Sequence, residues 1–296
     1  MIKIKSMLKL CRPHQWLKSV IVFAAFLLCP WDLTVFCKAL IVFFAFSFCS
    51  SAIYCINDLL DVAADRQHPR KCMRPIASGR VTPFEAALLA IFLFVSSLAL
   101  GFWAGRWVDL FLLIYVFNNI LYMKYFKHTP VVDVFCISFG FLLRMLAGAL
   151  GIGLPVSGLI LVCTFFLTLF LGFSKRWAEA NGQKNNINTR ATLKEYKLPL
   201  LSVFISVTSA ATLMTYGLWT ISPDTVRRHH TDLLIYTLPL ATFGLFRYIF
   251  ILYMEKGGED TARDILKDKP LLFIILLYAG SVAGIMFLSS YFPDAG

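Results

Sequence analysis

Long apolar runs dominate the chain, and polar residues gather in the gaps between them. A bilayer hydrocarbon core of about 30 Å needs roughly 20 apolar residues per helix, within a range of about 17–25. Nine runs meet or approach that length, near 17–30, 35–57, 84–104, 108–123, 131–152, 157–173, 199–220, 233–253 and 271–291. Some spacers are very short (31–34, 105–107, 153–156) and others long and polar (58–83, 174–198, 254–270). The pattern predicts an all-α integral membrane protein of nine transmembrane helices. With no Gly/Ser linker and no shift in composition, it reads as a single polytopic domain over 1–296. The basic start and first apolar run look like a signal peptide, but no small-x-small cleavage site follows. Leu28 before Cys29 is too large for a usual lipoprotein signal, so the run is read as a retained first span.

Composition agrees. Hydrophobic residues make up 58% of the chain and charged residues 15%, and the mean hydropathy is +0.72. Soluble domains are about 45–50% apolar and about 25% charged, which excludes a soluble, disordered or disulfide-stapled chain. The eight Cys form no C-x-x-C pair and no His-linked metal spacing, so they read as small hydrophobes.

The net charge of +11 is large for a chain with little water-facing surface. Cytoplasmic loops are enriched in Lys and Arg. Placing the N-terminus inside puts twenty-two of the 28 cations on the inner side and four on the outer, with Arg144 and Arg247 inside spans. Twelve of the 17 acidic residues fall on the inner side too. Topology alone asks only for the cations, so both signs on one face point to a site. The expected setting is the bacterial cytoplasmic membrane, with the N-terminus and the site facing the cytoplasm and no role for nucleic acid. Arg227, Arg228, His229 and His230 read as a solvated outer loop.

The richest polar segment leaves the inner end of the second run. Asn57, Asp61 and Asp65 stand at i, i+4 and i+8, with Asp58 beside them, so a continuing helix gathers them on one face. Clustered carboxylates repel one another unless cations sit among them. Mg2+ favours a few carboxylates together with substrate phosphates. Arg66, Arg70 and Arg74 follow and suit phosphate oxygens. Asp133 and Arg144 are eleven residues apart, about three turns and about 16 Å along one helical face. An Arg within a span is a functional-site hypothesis by default. Lys175 and Glu179 stand at i, i+4.

The motif N-D-x-x-D-x-x-x-D over 57–65 resembles the first aspartate-rich motif of the UbiA prenyltransferase superfamily. The longer string through Arg66, His68-Pro69, Lys71 and Arg74 to Gly79 resembles its decaprenyl-phosphate phosphoribosyltransferase branch. Further matches are R-P-x-Q-W-x-K over 12–18, Lys127-His128 with Val131-Val132-Asp133, and Gly140-Phe141 with Leu143-Arg144. Others are Lys175-Arg176 with Glu179, Arg190 with Leu193 and Tyr196, and Asp268-Lys269-Pro270-Leu271. The resemblance implies nine helices around a central cavity open to the cytoplasmic side. It implies Mg2+-dependent transfer of 5-phosphoribose from 5-phosphoribosyl 1-diphosphate to a polyprenyl (decaprenyl-like) phosphate, with inversion at the anomeric carbon.

Asn57, Asp58, Asp61 and Asp65 would hold the metal, the three aspartates acting directly in catalysis. Gln15, Lys18, Arg66, Arg70, Arg74, Lys175 and Arg190 would bind phosphoribosyl diphosphate. Lys127, Asp133 and Arg144 would bind the prenyl phosphate. The second D-x-x-x-D motif usual for prenyl diphosphate donors is reduced here to Asp133. The alternatives are prenyl transfer to an aromatic or lipid acceptor, and a transporter, which would show mid-membrane charge and repeat symmetry.

Overall fold

The computed structural model describes residues 2–26, 32–69, 71–182, 195–255, 257–258 and 261–291. These form twelve α-helices and short 3-10 segments, with no strand among the described residues. The helices are α1 (Ile2–Cys11), α2 (Leu33–Leu60), α3 (Val62–Gln67), α4 (Pro83–Ala104), α5 (Arg106–Lys124) and α6 (Val132–Gly151). They continue as α7 (Gly158–Gly182), α8 (Leu198–Thr220), α9 (Pro223–His229), α10 (Leu238–Met254), α11 (Thr261–Lys267) and α12 (Lys269–Tyr291).

Eight helical stretches among the described residues are long and apolar enough to cross a membrane. They match eight of the nine predicted runs. The first run differs. Arg12 takes a left-handed conformation (φ 51°) that ends α1, and Pro13 opens a 3-10 helix, Pro13–Ala24. At about 2.0 Å per residue, twelve residues extend about 24 Å, short of a hydrocarbon core of about 30 Å. Residues 27–30 of that run lie outside the described residues.

The chain divides into two compact units. The first holds α1 to α5 and the end of α6 from Leu143. Between lipid-solvated helices hydrophobicity drives little association, so small residues and interhelical hydrogen bonds carry the packing. Accordingly Ser97 on α4 donates to the carbonyl of Ala45 on α2 at 2.8 Å. Leu10 and Cys11 of α1 pack with Ala52 and Cys55 of α2, Ile76, Val81, and Ala86 and Ala90 of α4. The start of α4 carries a capping box, in which Thr82 accepts from the Glu85 N–H while Glu85 accepts from the Thr82 N–H.

Gly148 on α6 lies against the backbone of Val22, and a methyl added there would overlap the Val22 carbonyl. Gly148→Ala is expected to destabilise the protein by about 1–3 kcal/mol, read as a lower midpoint in thermal unfolding of the detergent-solubilised chain. Gly280→Ala, whose added methyl meets nothing within 4 Å, is the neutral control.

The second unit holds α6 up to Leu142 and α7 to α12. Its core joins Val134, Phe170, Phe173, Leu201, Ile205 and Tyr248. A buried polar chain ties its helices: Tyr216 and Thr237 share a hydrogen bond of 2.5 Å, and Tyr278 donates to Tyr216 at 3.1 Å.

Candidate active site

The end of α2 is fastened to the N-terminal segment. Ser51 donates to the carbonyl of Cys11 at 2.8 Å and accepts from the Trp16 indole at 3.0 Å. This brings Arg12 beside α2. Its Nη2 lies 2.6 Å from Asp58 Oδ1, and its guanidinium stacks 4.8 Å over the Tyr54 ring. Arg12 carries no role in the reading of the spacing, because its partner is 46 residues away.

α2 does not continue through the aspartates. It stops at Leu60, Asp61 is a junction residue (φ −90°, ψ 5°), and α3 starts again at Val62. Helical hydrogen bonds still cross the junction, the Asp61 N–H donating to Asn57 O at 3.0 Å and the Asp65 N–H to Asp61 O at 2.8 Å, so the side chains keep their helical spacing. Asp58 and Asp65, both 3% exposed, meet at Arg74, whose Nη1 lies 3.1 Å from Asp58 Oδ1 and 2.7 Å from Asp65 Oδ2. Asn57 instead donates to Asp61 at 3.2 Å. Arg74 is presented by a folded turn in which Gly79 (φ 74°) supplies the left-handed residue. There the Ser78 N–H donates to Arg74 O at 2.9 Å, while Ile76 is buried with Leu10 and Cys55.

One positive atom, Nη1 of Arg74, thus touches both buried carboxylates. Among the described residues no three Asp, Glu, His or Cys converge as a ready-made cage. Asp58 and Asp65 are hard oxygen donors, and a pair of carboxylates fits Mg2+, an ion that keeps several waters and is completed by substrate phosphate.

In this unit Arg66 and Lys18 are exposed and Gln15 is half-buried. Arg144 is 4% exposed and donates to the Tyr115 hydroxyl at 2.7 Å, its guanidinium 4.4 Å from that ring and 5.8 Å from Phe46. Arg70 and Arg190 lie outside the described residues.

The second unit carries its own charged cluster. Asp133 is fully buried. It receives Arg176 Nε on Oδ2 at 2.7 Å and the Tyr196 hydroxyl on Oδ1 at 2.9 Å. Arg176, 2% exposed, also binds Glu179 at 2.6 Å. The partner of Glu179 is therefore Arg176 at i, i+3, while Lys175 is exposed. Burial pushes the Tyr196 phenol up, keeping it a donor to Asp133. The Val131 N–H donates to the same hydroxyl at 2.5 Å, and Val131 has φ 67°. A β-branched residue there stores about 1–3 kcal/mol. Lys127 stands in the 3-10 turn Phe126–His128 just before it.

Elsewhere in this unit Arg247 binds Asp268 at 2.6 Å and Glu255 at 3.2 Å, holding the Asp268 carboxyl below its usual range. The loop read as solvated is only partly so. Arg227 pairs with Asp224 in the open, but His229 packs edge-on to Trp219 at 6.4 Å. Burial, with Arg228 and His230 nearby, pulls the His229 imidazole down to about 4.

A model described as the UbiA prenyltransferase family matches residues 17–277. The chain belongs to this family. It is a membrane-embedded transferase of all-helical fold. The chain is 30% identical to a decaprenyl-phosphate phosphoribosyltransferase of Mycolicibacterium smegmatis, over 97% of this chain and 94% of that one. It is 33% identical to a Mycobacterium tuberculosis protein of the same name, over 94% and 93%. In fold it resembles a UbiA homolog from Archaeoglobus fulgidus bound to GPP and Mg2+, with a TM-score of 0.70 and 21% identity over 95% of this chain and 99% of that one.

Proposed function

We propose that this UbiA-family chain transfers 5-phosphoribose from 5-phosphoribosyl 1-diphosphate to a polyprenyl phosphate in the bacterial cytoplasmic membrane. The whole chain serves as one polytopic domain, with its N-terminus and active site facing the cytoplasm. The observation that carries this reading is the buried pair Asp58 and Asp65, joined by Arg74 and flanked by Arg12, which sets carboxylates for a metal beside guanidiniums for phosphate. The names of the mycobacterial relatives support the same reaction, and the cation bias supports the orientation.

Asn57, Asp58, Asp61 and Asp65 would hold Mg2+, which neutralises the charge growing on the leaving diphosphate. The Archaeoglobus neighbour bound to Mg2+ supports a divalent ion. Arg74 and Arg12, already held against Asp58, would grip diphosphate oxygens, with Gln15, Lys18, Arg66 and Arg70 as further contacts. The family-like motifs assign Lys175 and Arg190 to the donor's phosphates, and Lys127, Asp133 and Arg144 to the prenyl phosphate. An acceptor phosphate oxygen forms a bond to the anomeric carbon as the bond to diphosphate breaks, inverting that carbon. The acceptor is already an anion, so no general base is required. Fixed cations in a water-poor site supply most of the rate.

The test is mass spectrometry of lipid products after the purified chain is incubated with phosphoribosyl diphosphate and a panel of polyprenyl phosphates. A polyprenyl phosphoribose 5-phosphate is expected, and it should disappear when Mg2+ is chelated. A product made only from prenyl diphosphate and an aromatic or lipid acceptor would overturn the proposal.

A further inference from the structure

The turn that leads into α6 is held in a conformation its sequence disfavours. Val131 is β-branched yet has φ 67°, at the centre of a tight turn closed by the Val132 N–H donating to Pro130 O at 2.8 Å, a conformation Gly adopts at much lower cost. Its N–H donates to the Tyr196 hydroxyl at 2.5 Å, and that hydroxyl donates onward to Asp133 at 2.9 Å. Arg176 fixes Asp133 from its other oxygen at 2.7 Å, so the acceptor is aimed by a buried guanidinium. The same turn is continuous with the basic segment before it. Asp133 N–H donates to Thr129 O, and Thr129 N–H donates to Phe126 O, each at 3.1 Å. Lys127 stands inside that hydrogen-bonded stretch.

We infer that the Tyr196 hydroxyl is a positioning group. It locks the left-handed Val131 turn and thereby sets the placement of Lys127 for an anionic lipid phosphate. The residue reaches across 65 positions of chain from the segment just before α8, and its ring is buried, so only the hydroxyl is specific to the task. Asp133 and Arg176 are the scaffold of this lock.

The part concerning Lys127 rests on the proposed phosphoribosyl transfer, and the part concerning the turn does not. The experiment therefore uses two readouts on the full chain in lipid nanodiscs. Tyr196→Phe keeps the ring and removes the hydroxyl. Backbone amide exchange over 126–136 is expected to speed up about tenfold, and KM for polyprenyl phosphate to rise about tenfold with kcat within about twofold. Adding Val131→Gly to Tyr196→Phe makes the left-handed turn accessible without the hydroxyl, so KM is expected to return to within about threefold of the parent. A packing defect at Tyr196 would not be repaired by a glycine at 131. Unchanged exchange in Tyr196→Phe overturns the lock, and so does a KM increase that glycine leaves in place. A fall in kcat at constant KM overturns the role of Lys127. If the parent chain shows no phosphoribosyl transfer, the proposed function fails, and amide exchange still decides the lock.

Discussion

Replacing Asp58 by Asn is expected to lower Mg2+-dependent transfer by about a thousandfold. The amide keeps the volume and removes the charge. Two guanidiniums, Arg12 at 2.6 Å and Arg74 at 3.1 Å, then lose their common anion. Asp65, 2.7 Å from Arg74, is left as the only charged member of the buried pair, so affinity for a divalent ion falls with it. Both arginines are about one-quarter exposed, so water screens the lost attraction and the cost in stability is about 1 kcal/mol or less. Initial rates with labelled phosphoribosyl diphosphate across an Mg2+ titration measure the first effect, and thermal unfolding the second. Asp61→Asn is expected to lose transfer as well. Activity near the parent level in Asp58→Asn would remove this residue from the metal site.

The largest effect on stability is expected at Arg176. Arg176→Met keeps much of the aliphatic volume but leaves Asp133, fully buried, with the Tyr196 hydroxyl alone. Stranding a buried charge costs about 3–5 kcal/mol, equivalent here to a midpoint lower by about 5–10 °C. Pairing the change with Asp133→Asn is expected to restore most of the loss, because an amide in the same place carries no charge to strand. The two single variants and the double variant form a thermodynamic cycle that scanning fluorimetry in detergent can close. If the double variant is no more stable than Arg176→Met, the energy does not lie in this ion pair.

Both expectations depend on contacts that no local spacing reveals. Asn57 and Asp61, at i, i+4, bond to each other, while Asp58 and Asp65, seven residues and about two turns apart, are the pair that Arg74 joins from a distant turn. Lys175 and Arg176 are equally placed in sequence to reach Glu179, since i+4 and i+3 are both neighbours on a helix. The rotation of α7 turns Arg176 inward to Asp133, 43 residues away, and leaves Lys175 exposed. Arg12, Arg176 and Tyr196 all sit within the family-like motifs, which was the signal available for them.

Hydropathy and motif spacing were enough for the all-helical membrane class, the positions of eight of the spans and the family. Bilayer thickness imposes a run length that composition shows directly, and the motif at 57–65 is contiguous. The sequence also located the acidic and basic residues on which a phosphate chemistry can be built. Which charge meets which follows from helix packing instead. It joined Arg12 and Arg74 to Asp58, closed Asp133 with Arg176 and Tyr196, and turned the first apolar run into a 3-10 segment behind a left-handed Arg12. The physical reason is range. Hydropathy and helical periodicity act over a few turns of one helix, whereas a guanidinium and its carboxylate are brought together by the packing of helices distant in the chain.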